Sequence, residues 1–85
     1  MNIELRFFAG VREALGVSRE TVSLPDSVQT VGQVRDHLRE RGGAWAETLS
    51  AGRALRMACD QVTAKEDAPI REGCEVAFFP PVTGG

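Results

Sequence analysis

Residues 2–8 (NIELRFF) alternate in character, with Ile3, Leu5 and Phe7 on one side and Asn2, Glu4, Arg6 and Phe8 on the other. A period of two with one apolar side predicts a half-buried strand. Residues 9–16 (AGVREALG) lose the alternation and predict a short helical or irregular connection closed by Gly16. Residues 18–24 (SRETVSL) predict a second strand, stopped by Pro25-Asp26 and paired with the first like a hairpin with a long loop. The period then changes. Across residues 30–41 (TVGQVRDHLRER), Val31, Val34 and Leu38 recur at helical spacing, which predicts the main helix. Thr30 and Gln33 fit a capping box, each side chain satisfying a backbone donor at the helix start. Arg39 and Arg41 fall in the expected last turn, where positive charge suits the helix dipole. Gly42-Gly43 is expected to close the helix as a left-handed C-cap.

Residues 44–50 (AWAETLS) predict a second short helix, with Trp45 and Leu49 four apart on one face. Residues 55–59 (LRMAC) predict a strand with Leu55, Met57 and Cys59 inward, and Asp60-Gln61 turns it into a short strand near Val62. Ala68-Pro69-Ile70 leads to a tight turn at Glu72-Gly73. Residues 74–79 (CEVAFF) predict the last strand, with Cys74, Val76 and Phe78 inward. Strand, strand, helix, strand, short strand, strand, with one main helix on a mixed sheet, is an α+β arrangement. The order resembles the ubiquitin-like β-grasp, and that resemblance implies parallel first and last strands at the sheet centre. Residues 1–85 read as one such domain ending in an extended tail, residues 79–85.

Composition narrows the functions available. The 85 residues are 42% hydrophobic and 26% charged, with net charge −2, an ordinary globular balance. Basic residues are scattered singly among acids, so no basic stripe awaits nucleic acid. No apolar run approaches the roughly 20 residues of a membrane span, and the start MNIE is unlike a signal peptide. The expected location is the cytoplasm. Cys59 and Cys74 form no Cys-x-x-Cys and have no clustered histidine, so they read as structural thiols, and no metal is expected. The single histidine, His37, has no Ser or Cys placed to pair with it. No phosphate loop or carboxylate pair stands out. The chain therefore reads as having no enzyme active site of its own.

The chemistry lies at the end, VAFFPPVTGG. Pro80 lacks an N–H, so sheet pairing is expected to stop near Phe79. Pro80 and Pro81 bias the residues before them toward extended geometry, making a stiff outlet. Val82 and Thr83 are β-branched and favour extension. Residues 80–85 fully extended reach about 20 Å. Gly84 and Gly85 have no side chains and fit a channel too narrow for any other residue. Gly85 is expected to end the chain, and its carboxylate to be the working group. At the root of this tail, Phe8 and Phe79 both fall on the polar side of their strands. If the first and last strands are neighbours, the two rings share an exposed surface, an expected partner face. Arg12, just after Phe8, is a candidate for its rim.

These residues carry a resemblance. EVAFFPPVTGG, residues 75–85, resembles the C-terminal signature of the small subunit of molybdopterin synthase, and LRFFAGVREALG, residues 5–16, resembles that family's first strand and loop. The Gly-Gly end alone is shared with ubiquitin-like protein modifiers and the thiamine-pathway sulfur carrier; Phe-Phe-Pro-Pro-Val before it is more specific. Two positions depart from the family pattern: Asp60-Gln61, often Asn-Gln, and Cys74, usually acidic or polar. Neither touches the tail. The resemblance implies a sulfur carrier in molybdenum cofactor biosynthesis. An E1-like adenylating enzyme would use ATP to form a Gly85 acyl-adenylate, and a sulfur donor protein would convert it to a thiocarboxylate. The tail, Pro80 to Gly84, would thread into the synthase large subunit, in a heterotetramer, and the sulfur would attack cyclic pyranopterin monophosphate. The resemblance implies no cofactor bound by this chain.

Overall fold

The computed structural model of the chain describes residues 1–81. Its elements are β1 (Asn2–Phe7), α1 (Ala9–Leu15), β2 (Arg19–Ser23), α2 (Val31–Arg39), α3 (Gly43–Thr48), β3 (Arg56–Cys59), β4 (Val62–Ala64) and β5 (Glu75–Phe79). The five strands form one mixed sheet in the order β2-β1-β5-β3-β4. β1 is antiparallel to β2 and parallel to β5, with Phe7 opposite Phe78. β5 thus takes the centre, flanked by β1 and by antiparallel β3. This is the ubiquitin-like β-grasp.

The alternation read from the sequence decides which side is buried. Ile3, Leu5 and Phe7 from β1, Val76 and Phe78 from β5, and Val31, Val34 and Leu38 from α2 are all at most 1% exposed. Phe78 stacks on Phe7, with centroids 6.0 Å apart, and Trp45 of α3 meets Phe7 edge-on at 5.5 Å. The capping box is present: the Thr30 hydroxyl accepts from Gln33 N–H at 3.2 Å, and the Gln33 side chain accepts from Thr30 N–H at 3.1 Å. The first turn of α2 also lies close on the 66–68 segment. Gly32 N–H donates to the Glu66 carbonyl at 2.8 Å, and a Cβ at Gly32 would sit 2.9 Å from that oxygen.

Several expectations need correction. The Gly42-Gly43 pair is not the C-cap of α2. The helix ends at Arg39, its C-cap Glu40 is right-handed, and tightening i to i−3 bonds from Glu40, Arg41 and Gly42 finish the turn. The glycines use positive φ (77° and 54°) to swing the chain into α3, with Gly42 as that helix's N-cap. Arg41 therefore lies beyond α2. It reaches β2, where its guanidinium grips Glu20 at two points (one of 3.0 Å) and lies 4.3 Å over the Trp45 ring. Hydrogen bonding to Arg41 holds the Glu20 carboxyl below its usual range against the opposing cost of burial. Residues 9–16 resolve to a true helix, closed by Gly16 at φ 74°. The first strand stops at Phe7 rather than Phe8, and Leu55 lies ahead of β3, half-buried.

Arg35 is the buried residue that pattern reading leaves out. It is 6% exposed, and its Nε donates to the Leu49 carbonyl at 2.8 Å. Its other nitrogens reach the carbonyls of Ser50 and Arg53 and the Glu66 carboxylate. One guanidinium thus satisfies the carbonyls where α3 ends and ties that corner to α2. Replacing Arg35 with Met keeps the stem's packing but orphans these buried acceptors. The expected cost is about 3 kcal/mol, read as a lower urea midpoint at unchanged slope.

Candidate functional site

The last ladder residue and the first residue after β1 meet at one end of the sheet. Phe8 N–H donates to the Phe78 carbonyl at 3.2 Å, extending the β1–β5 ladder by one bond. Its own carbonyl then turns away and accepts from Val11 and Arg12 N–H at 3.1 and 3.3 Å, so Phe8 becomes the N-cap of α1. Ala9 takes a left-handed backbone, φ 49°, to make that corner. Phe8 is therefore held by its backbone on both sides while its side chain stays outside the core.

On the face of the sheet away from the core, Phe8 and Phe79 line one shallow indentation of about 350 Å³. Phe8 is 41% exposed and Phe79 half-buried. The floor comes from register: Ala77 stands opposite Arg6 on one side and Ala58 on the other. Two alanines side by side leave room between larger neighbours. Arg6, Glu75, Gln61 and Thr63 make the polar rim. Arg6 is 3.6 Å from the Glu75 carboxylate, and its guanidinium carbon is 5.5 Å from the centre of the Phe8 ring. An apolar patch with a small floor and a charged rim suits a protein partner.

Arg12 is exposed on α1, one turn on from Phe8, and does not line this indentation. Sequence reading missed Arg6, Ala58, Gln61, Thr63, Glu75 and Ala77. The signal was available, because Arg6, Ala77 and Glu75 share the parity of Phe8 or Phe79 on their strands. Pro80 and Pro81 follow β5 directly and are half-buried. Pro80 borders a second, smaller cleft of about 190 Å³ between α1 and residues 53–55. Val82, Thr83, Gly84 and Gly85 lie outside the described residues.

Elsewhere, His37 shares a groove with Asp36 and Glu40 beside the 25–28 segment. Among the described residues, no group of three or more His, Cys, Asp or Glu side chains is placed to hold a metal ion. Cys74 is buried and Cys59 half-buried. Burial first, then the neighbouring Cys74, push the Cys59 thiol up to about 11, so it carries little thiolate near neutral pH. No described helix is long and apolar enough to cross a membrane.

The fold is a β-grasp whose central strand runs into a diproline, and the profile of the ThiS family matches residues 5–85. The chain belongs to the ThiS family. It is 40% identical over 83 residues to the molybdopterin synthase sulfur carrier subunit of Haemophilus influenzae, covering 98% of this chain and 99% of that protein. It is 41% identical, with the same coverage, to the protein of the same name in Escherichia coli. The resemblance read from the two ends of the sequence is thereby borne out along nearly the full chain. Among solved structures, the fold is similar to small archaeal modifier protein 1 of Haloferax volcanii, with TM-score 0.74 and 23% identity over 95% of this chain and 98% of that one. It is also similar to a chain of the complex of subunits 1 and 2 of molybdopterin-converting factor from Helicobacter pylori, with TM-score 0.66 and 21% identity over 100% of both.

Proposed function

We propose that this protein is the sulfur carrier subunit of a molybdopterin synthase and that its C-terminal carboxylate is the group that carries sulfur. The observation that supports this most is the match of 98% of the chain, at 40–41% identity, to two proteins of that name. The likeness of the fold to a chain of the complex of subunits 1 and 2 from Helicobacter pylori supports a large subunit as partner.

The chemistry follows from what a carboxylate lacks. Its leaving group would be oxide, so it must be activated. An E1-like enzyme joins the Gly85 carboxylate to the α-phosphorus of ATP, releasing pyrophosphate and leaving an acyl-adenylate. A donor persulfide sulfur attacks the Gly85 carbonyl carbon, and AMP departs. Reductive cleavage of the sulfur–sulfur bond by a thiol leaves the donor as a disulfide and Gly85 as a thiocarboxylate. That ionised sulfur is a soft nucleophile for cyclic pyranopterin monophosphate, and two deliveries build a dithiolene. This chain supplies the reacting group and its reach, so its contribution is positional. Binding of substrate and acid–base work fall to the large subunit. The chain itself holds no cofactor and works in the cytoplasm.

In this reading Phe8 and Phe79 seat the partner at the tail root, Arg12 adds charge at the side, and Pro80, Pro81, Val82, Thr83 and Gly84 deliver Gly85. The fold does not separate a carrier from a protein modifier, since a modifier shares it. The rival carrier role, in the thiamine pathway, is tested by complementation. The gene is expected to restore molybdenum-enzyme activity to a strain lacking its own small subunit and to leave a thiamine-requiring strain unrescued. The reverse pattern would overturn the assignment.

A further inference from the structure

Cys59 and Cys74 have no part in the chemistry above, and the sheet brings them together. Cys59 closes β3 opposite Val76, and Cys74 stands two residues before Val76, just ahead of β5. Between them, Asp60 N–H donates to the Glu75 carbonyl at 2.8 Å, and Glu75 N–H donates to the Asp60 carboxylate at 2.9 Å. The two cysteines therefore flank one hydrogen-bonded pair and point to the same, core side of the sheet, where Cys74 is buried and Cys59 packs against the same cluster.

We propose that Cys59 and Cys74 are an oxidisable pair, which a small-molecule disulfide converts to an intramolecular disulfide that locks β3 to the start of β5. A Cys59 thiolate attacks the reagent RSSR, forming Cys59–S–SR and expelling RS⁻. The Cys74 thiolate then attacks the Cys59 sulfur and expels the second RS⁻. Two cysteine thiols are oxidised, one RSSR is reduced to two RSH, and the two protons pass to the departing thiolates. Cys59 is the less buried residue of the two and so the point of attack.

Diagonal neighbours on an antiparallel pair lie about 7–8 Å apart at Cα, about 1 Å beyond what a disulfide spans without backbone movement. The β3–β4 hairpin supplies that shift. Its outer strand, β4, is the edge of the sheet, and its tip, Asp60-Gln61, is a left-handed turn with φ of 51° and 68°. Cys74 is the fixed side, its carbonyl accepting from Glu4 N–H at 2.9 Å. Thiolate supply sets the rate. Burial, Cys74 and Asp60 disfavour the Cys59 thiolate, while Arg71, which is paired to Asp60 at 2.7 Å, favours it. With the thiol near 11, exchange is slow at neutral pH and rises about tenfold per pH unit up to that point. The bond lies at the opposite end of β5 from the tail, so sulfur loading at Gly85 is left open.

The test uses the full wild-type chain with oxidised glutathione at about pH 9.5, acid quenching, alkylation of free thiols and intact mass. The expected product is monomeric, lacks two hydrogens, takes up no alkylating group and reverts with dithiothreitol. Closing this loop is expected to raise the melting temperature by about 10 °C. A chain that stops at the glutathione adduct of Cys59 with Cys74 still alkylatable, links to a second copy, or leaves both thiols free would overturn the proposal.

Discussion

A chain ending at Gly84 is expected to fold normally and to neither accept nor deliver sulfur. Removing Gly85 withdraws the terminal carboxylate by one residue, about 3.5 Å. Reacting atoms must approach to about 3–3.5 Å in good alignment, and a misplacement of about 1 Å already costs on the order of 100-fold. A full residue is therefore expected to abolish both adenylation and transfer. Stability is expected to stay put, because β5 ends at Phe79 and the core among the described residues ends at Phe78. Matching urea midpoints would show the fold intact. Loading and transfer assays would then read the chemistry alone.

The second large effect separates the two faces of the sheet. Phe78→Ala empties a site that is 0% exposed and stacked on Phe7, and should cost about 3–5 kcal/mol of stability. Phe8→Ala removes a ring that is 41% exposed, so stability should change little while large-subunit binding weakens. An aromatic anchor buried at an interface centre is commonly worth about 2 kcal/mol or more, roughly 30-fold in affinity. Phe79→Ala should do both in part, since Phe79 is half-buried beside the alanine floor. Thermal unfolding and titration with the large subunit, run on all three variants, distinguish the roles. Phe8→Ala that binds as wild type would remove the sheet face from the account.

How much of this was legible in the sequence depends on whether a single period governed the stretch. β1 alternates cleanly, and β5 keeps the same parity through an apolar run in which the outward Ala77 is covered as well, so Phe7 and Phe78 were readable as core and Phe8 and Phe79 as outer residues from the sequence. The capping box was legible because Thr30 and Gln33 act locally. Arg35 was not recognised, although it stands four residues after Val31 on the same helical stripe. A long cation reads as solvated unless the carbonyls that receive it are known, and those come from residues 49–53, across the fold. The Gly42-Gly43 pair misled for a similar reason. Positive φ was rightly expected there, but whether it closes one helix or opens the next depends on how soon α3 packs back. The Ala58 side of the indentation beside Phe8 was hidden, because Ala58 adjoins Ala77 only through sheet pairing.

A carrier is defined by where its sulfur resides. The direct measurement is intact and fragment mass of the chain after incubation with its activating enzyme, ATP and a persulfide donor. The expected result is a gain equal to sulfur replacing one oxygen, found only in the fragment that ends at Gly85 and unchanged when both cysteines are alanine. Sulfur found on Cys59 or Cys74 with Gly85 unaltered, or Gly85 joined through an isopeptide bond to a lysine instead, would contradict it.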